Sequence, residues 1–469
     1  MYSKYLESKH DLCKELVTRL QSKYEYASVL GKHTTGKVVQ VSTVQTIVGE
    51  SQMSECGFVA KVYNGKTYAE YSFTDITKEN MNSLVDEIEN KLAISNELLD
   101  NHVKMTVMSD EPLVKNFSRP IEGKIYEIPE IVEKLTDLKD KAHTVSDKIV
   151  QVSCSCMYYE VSALFISPNR DLTQNYGWCS VHMGCVSRDE DNMQMGRDVA
   201  AYNNMEQCFE VADKKIIEVA NLSLELLKAE LIEPGEYDII TSPSITGLIA
   251  HEAFGHGVEM DMFVKHRARS RHYIGKEVAS PLVNMHDGAS ATKSCVGYFF
   301  DDDGVLAHDT LIIKEGILQT GISDAVSAKQ LGTEPTGNGR RQDTSRKAYT
   351  RMTNTFFEAG SDKLEDMIAS VKHGYMLFQT DNGMEDPKNW NIQCTAQYGR
   401  EIKDGKFTGK IVAPVVMSGY VPDLLKSITM VSDGNNFEVV GSGFCGKGYK
   451  EWVPVSDGGP CLKGRCKLG

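Results

Sequence analysis

Residues 237–259 read YDIITSPSITGLIAHEAFGHGVE. YDIIT is short, apolar and β-branched, the signature of a buried strand. Ser242-Pro243 then supplies an N-cap and a first-turn proline, both helix-start signals. Ile245, Ile249 and Ala253 recur at i, i+4 and i+8, which makes an apolar stripe down one side of a helix. A buried strand therefore feeds a helix with one buried face, and that helix carries His251, Glu252 and His256. In the zinc-protease motif H-E-x-x-H the histidines stand four apart and share a helix face. Here they stand five apart, which on a regular helix turns the second imidazole about 140° away from the first. One extra residue can be absorbed by a π-type bulge or a local unwinding. Gly255 and Gly257 bracket His256, and glycine costs about 1 kcal/mol against alanine inside a helix. Spacing and glycines together predict a helix that bulges or breaks at Gly255 and brings His256 round to His251.

Zinc hydrolysis needs three protein ligands, an open position, and a carboxylate to take a proton from water. His251 and His256 would be two ligands, with Glu252 as general base on the zinc-bound water. The residues alone leave the third ligand open. Glu259 and Asp261 could ligate, orient a histidine, or be solvated. Cys445 lies in VVGSGFCGKGYKEWVPV, where glycines at 441, 443, 446 and 448 mark a backbone that turns tightly or approaches something closely. The bland alternatives are that the helix ends here with both histidines at the surface, and that Cys445 is an inert buried thiol. Tyr273, Arg340 and Arg351 are candidate donors to a developing oxyanion.

Outward from this motif, the N-terminal half alternates helical and β patterns. Residues 6–22 place Leu12, Cys13, Leu16, Val17 and Leu20 at helical spacing, and 79–99, 127–148 and 209–231 also fit helices. KVVQVSTVQTIVGE (37–50) alternates as a strand, and Asn64-Gly65 signals a hairpin. IVQVSCSCMYYEVSALFIS, followed by PNRD, gives strand and turn. Its Cys154 and Cys156 share one face as core packing. Beyond 290 the chain is short β runs with one helix over 361–373. The fold class is therefore α+β. It joins a mixed-sheet N-terminal domain with flanking helices (1–230) to a β-rich C-terminal domain (231–469), with the metal-site helix near the junction.

The 469 residues carry 51 Lys plus Arg and 65 Asp plus Glu, so 51 − 65 = −14. Such a chain is a poor direct ligand for nucleic acid or an anionic membrane surface. No apolar run approaches a membrane span and the N-terminus has no signal-peptide core, so a cytoplasmic protein is expected. In a reducing compartment the twelve cysteines should be mostly free, buried thiols.

HEAFGHGVEMD, RMTNT (351–355) and GSGFCGKGYKEWVPVSDGGP together resemble the TldD/PmbA family, once labelled modulators of DNA gyrase. The family pairs a TldD-type subunit carrying HExxxH with a partner subunit lacking it, and this chain has the motif. The resemblance implies a zinc metallopeptidase acting on peptides or unfolded segments. It implies ligands His251, His256 and Cys445, with Glu252 as base. It also implies a dimer, either a homo-oligomer or with a TldE/PmbA-type subunit, and a peptide bound extended along a sheet edge. The sequence departs from the common pattern after His256, where alanine-leucine is usual, and at Tyr449, where glutamine is usual. Both departures bear on substrate preference. Any gyrase connection is expected to be indirect, through processing of a peptide. The rival reading is a non-catalytic regulatory protein that binds peptides or partners.

Overall fold

A computed structural model describes residues 2–98, 111–448 and 451–469. Tyr449 and residue 99 of the expected second helix lie outside the described residues.

The N-terminal half is built on an eight-stranded sheet ordered Tyr68–Phe73, Glu55–Tyr63, Tyr26–Ser42, Ile149–Ile166, Arg170–Asp189, Leu113–Arg119. Two further strands attach to it: Thr46–Glu50 on Tyr26–Ser42, and Asn192–Tyr202 on Arg170–Asp189. All these pairings are antiparallel except Leu113–Arg119 on Arg170–Asp189, which makes the sheet mixed.

Side chains on a strand alternate between faces, and Ile149–Ile166 shows what each face meets. Even-numbered Val152, Cys154 and Cys156 pack with Ile131, Leu135 and Leu138 of helix Ile128–His143 and with Cys208, Ala212 and Ile216 of helix Met205–Leu226. Further along, Leu164 and Ile166 pack with Leu16 and Leu20 of helix Lys4–Gln21. Odd-numbered Tyr159, Val161, Ala163 and Phe165 instead meet Cys295, Val296, Tyr298 and Phe300. Helices thus cover one face and the C-terminal half covers the other. Every cysteine in the chain is unpaired, and Cys154 and Cys156 are packing residues on the helix face as expected.

In the C-terminal half, the strand read from YDIIT runs Gly235–Thr241. It lies parallel to His373–Asp386 and antiparallel to Leu462–Leu468. The sheet continues through Val415–Tyr420 to Asn391–Lys403, which pairs back onto His373–Asp386 and onto edge strand Lys406–Val412. Five strands therefore close on themselves. A separate six-stranded sheet ends in Asn354–Phe357, Glu451–Gly459 and Glu438–Lys447. The helical segment after Thr241 packs between the two sheets: Ile245, Ile249 and Phe254 share one core with Leu377, Ile392, Phe357 and Val455.

The α+β reading of a mixed sheet with flanking helices, then a β-rich half, holds. Several boundaries differ. Residues 37–50 form a turn between two paired strands, not one strand, with Ser42 N–H donating to Gln45 O. Both arms carry the same Val/Thr alternation, so periodicity alone cannot place the turn. The helix expected over 127–148 stops at His143, the one over 209–231 runs Met205–Leu226 from its Asn204 cap, and the one over 361–373 is only Leu364–Ala369.

The two halves are tied by buried charge. Lys61 pairs with Asp303 and with Glu70 (3.2 Å), and Arg341 reaches Glu70 at 3.2 Å. Burial would raise the Glu70 carboxyl, but Arg341 and Lys61 outweigh it and hold it at about 2, below its ordinary 4.5. Its contribution is therefore full above about pH 4.5 and is lost as pH falls toward 2. The side chain is 20% exposed, so E70Q is expected to cost about 2 kcal/mol at neutral pH. In thermal melts E70Q should also flatten the acid limb between pH 4.5 and 2. A wild-type curve for E70Q would remove Glu70 from this tie.

Candidate metal centre

Helix Pro243–Leu248 does not continue as an α-helix. From Ile249 to Gly255 it is a π-helix, followed by a 3-10 turn over His256–Val258. The His256 N–H donates to His251 O, an i→i−5 bond. This is the bulge that the five-residue spacing requires. The two rings come back to one side, centroids 5.2 Å apart and planes at 89°. Gly255 has ordinary right-handed angles (φ −59, ψ −49), so it is not there for conformational freedom. It is there for space: a Cβ would sit 2.2 Å from Met352 Sδ and 2.9 Å from Ala250 O.

Cys445 arrives from the other sheet, on strand Glu438–Lys447. Trp178 of the N-terminal sheet donates its Nε1–H to Gly441 O (3.3 Å), beside the register shift in that strand. Arg351, fully buried, donates to Cys445 O (2.5 Å) and Glu451 O (3.3 Å) and so clamps the hairpin. The ligand atoms of His251, His256 and Cys445 all lie within 4.8 Å of one another, with Cys445 Sγ 3.6 Å from His256 Nε2. Among the described residues no other group of three His, Cys, Asp or Glu converges this way. Around a tetrahedral ion with Zn–N and Zn–S near 2.1 and 2.3 Å, donor atoms sit about 3.5 Å apart. Cys445 and His256 already stand at that spacing, and two imidazoles and a thiolate within 4.8 Å of one another would fit such an ion by closing at most about 1.3 Å.

The charges also fit a cation. Burial would push the Cys445 thiol up, but His251 and His256 bring it well below the ordinary thiol range. Burial would lower His251 and His256, but the Cys445 thiolate reverses both, joined at His256 by Glu259. The thiolate and the two rings thus each favour the other's charged form. A metal would supply that positive charge instead and take the rings as neutral donors.

Glu252 stands 4.0 Å from His251 Nε2 and 3.9 Å from His256 Nε2. Burial raises its pKa, with the two histidines opposing. Glu259 differs. Burial would raise it, but Lys447 and His256 overcome this and hold it well below the carboxylate range. Lys447 reaches Glu259 (2.8 Å), Asp261 (2.7 Å) and Thr350 O (2.9 Å), while Glu259 lies 3.4 Å from His256 Nδ1. Of the roles open to Glu259 and Asp261, the geometry favours orientation: Glu259 braces His256, and Asp261 braces Lys447.

Arg340 spends its terminal nitrogens on Met352 O (2.7 Å) and Pro454 O (2.8 Å), as Arg351 does on its own carbonyls. Tyr273 packs on Trp390, centroids 4.6 Å apart. All three have structural contacts. Three acidic or basic residues went unremarked in the sequence. Lys447 follows Cys445 by two, so it shares its face of the strand, and period-two counting would have found it. Asp457 and Glu385 have no local signature. Asp457 is pushed up to about 6 by burial, against the pull of His251. Neither buried oxygen of Glu385 is hydrogen bonded among the described residues.

Residues 234–463 match the sequence model of the PmbA/TldA metallopeptidase C-terminal domain. A metalloprotease of Methanocaldococcus jannaschii is 28% identical over 83% of this chain and 84% of its own length. A zinc metalloprotease TldD homolog of Saccharolobus solfataricus is 28% identical over 71% and 74%. The crystal structure of TldE from Thermococcus kodakarensis superposes with a TM-score of 0.78 at 18% identity, covering 97% and 99% of the two chains. The relatives are named metalloproteases, and the matched domain is one of a metallopeptidase family. The chain belongs to the TldD/PmbA family.

The tight seat of Gly255 yields a test. G255A is expected to cost about 2 kcal/mol by overpacking against Met352. M352A in the same chain should recover part of that loss in urea unfolding. Additive losses in the double variant would show that the two positions do not press on each other.

Proposed function

We propose that the chain is a TldD-type zinc metallopeptidase subunit that cleaves peptides or unfolded segments. His251, His256 and Cys445 hold the zinc and Glu252 is the general base. The observation that carries this reading is the convergence of three donors with a carboxylate about 4 Å from both imidazoles. A zinc ion held there supplies Lewis acidity toward a scissile carbonyl, tempered by the thiolate's negative charge. Glu252 takes a proton from the attacking water and passes it to the leaving amine. Its burial supports this, because the protonated form is favoured once the proton has moved. Glu259, fixed by Lys447, accepts from His256 Nδ1 and so holds that ring with Nε2 facing inward.

The substrate lies extended. Strand Glu438–Lys447, which carries Cys445, ends its six-stranded sheet and offers an edge for strand addition. The division into domains 1–230 and 231–469 is part of the same proposal, with the hydrolytic centre wholly in the second. Assembly as a dimer, with a second copy or a TldE/PmbA-type subunit, belongs to the same proposal. The −14 charge supports a role away from DNA, and a cytoplasmic location is part of the same proposal. No helix among the described residues is long and apolar enough to cross a membrane.

The test is a pair of substitutions on the full chain. E252Q should keep its zinc while cleavage of an unstructured peptide falls by about 10²- to 10⁴-fold. C445S should lose zinc to a chelator at far lower concentration than wild type. Wild-type cleavage by E252Q sinks the mechanism, and unchanged zinc affinity in C445S removes that ligand.

A further inference from the structure

A cavity of about 590 Å³ lies between the two halves, walled by Ser153, His182 and Met195 on one side and by Phe378, Val440 and Asp457 on the other. It meets both elements of the metal centre. Gly443 on its wall is two residues before Cys445. Asp457 on its wall presses against Gly247, where a Cβ would sit 2.4 Å from Asp457 Oδ1 and 2.5 Å from Gly458 N. Gly247 is four residues, about one helical turn, before His251. Only a glycine there lets the strand lie flush and leaves the carboxylate room beside the helix.

The cavity's charges are unevenly satisfied. Its two cations are spent: Arg197 pairs with Asp381, and Lys215 with Asp198 at 3.1 Å. Glu438 is drawn toward Lys215 beside Asp198, whereas the Asp457 carboxylate forms no ion pair and accepts no hydrogen bond among the described residues and feels only the more distant pull of His251. The free charge of the cavity is therefore negative, and its inner member stands one turn from His251. A partly buried carboxylate without a partner costs free energy that an incoming cation would return.

We propose that this cavity is a cation-binding subsite of the substrate cleft, with Asp457 receiving an ammonium or guanidinium group of the peptide close to the scissile bond. The inference rests on the peptidase reading above and names its substrate class: peptides with a positive group next to the cleaved bond. That group is either the free α-ammonium at the peptide's N-terminus or a lysine or arginine side chain.

The experiment measures binding, not turnover. Zinc-loaded E252Q full chain is titrated calorimetrically with four matched pentapeptides. One is neutral and N-acetylated, one has a free N-terminus, one is acetylated with lysine, and one is acetylated with norleucine at the same position. A cation-bearing peptide is expected to bind about tenfold or more tighter than its neutral partner at low salt. Adding D457N should bring that ratio to about one. Preference lost on acetylation identifies the α-ammonium, while preference tracking lysine identifies the side chain, and either supports the subsite. Equal binding of all four, or a ratio that D457N leaves intact, overturns it. Cleavage by the wild-type chain is scored separately. Cationic preference without any cleavage sinks the hydrolytic reading alone, and cleavage without preference sinks the subsite alone.

Discussion

One backbone hydrogen bond organises this molecule's site: His256 N–H to His251 O. It closes a turn over five residues where an α-helix would close over four, and so converts a spacing that separates two imidazoles into one that joins them. Such a turn is less favourable than an α-helical one and needs support from its surroundings. Met352 fills the space that Gly255 leaves, and Gly383 lies where a Cβ would come within 2.6 Å of Glu252 Cγ. Ala253 and Phe254 are fully buried. The bulge is thus held by close packing on several sides.

The two glutamates of the motif show how surroundings divide roles between identical groups. Glu252 and Glu259 are seven residues apart and both buried in large part. Glu259 has Lys447 against it and stays an anion, a fixed acceptor for His256. Glu252 has no lysine or arginine partner among the described residues, and burial moves it toward the protonated form. One carboxylate is suited to hold a ring and the other to hold a proton. Lys447 makes the difference, and it reaches the site on the same strand face as Cys445.

Much of this was legible in residues 237–259, because strand, cap, helix stripe and bulge are all local. The spacing of His251 and His256 even required the distortion that is found. Cys445 was not legible that way. It follows His256 by 189 positions and meets it only because two sheets pack together, so periodicity gave no hint; the glycines around it made it a candidate, and only the resemblance to a family made it a ligand. Asp457 and Glu385 were hidden for the same reason: each is an ordinary strand residue until another sheet or hairpin closes over it. From sequence, Arg340 and Arg351 are candidate donors to an oxyanion. In the fold their guanidinium groups bond to carbonyls of the hairpin that carries Cys445 or of the segment beside it, a use of arginine that sequence alone cannot separate from catalysis.

The origin of the three donors has a mechanical consequence. His251 and His256 belong to the helix that follows Gly235–Thr241, a strand of the closed sheet. Cys445 belongs to the last strand of the other sheet, clamped by Arg351 and pinned through Gly441 by Trp178 of the N-terminal half. An ion bound by all three would bridge those sheets, so its affinity would include whatever free energy docks them. Binding at the centre and packing of these two sheets are then one linked equilibrium. The cavity between the halves, walled by Asp457 and by the strand leading to Cys445, lies where that linkage would be felt. A peptide filling it would press on the same seam that holds the donors together.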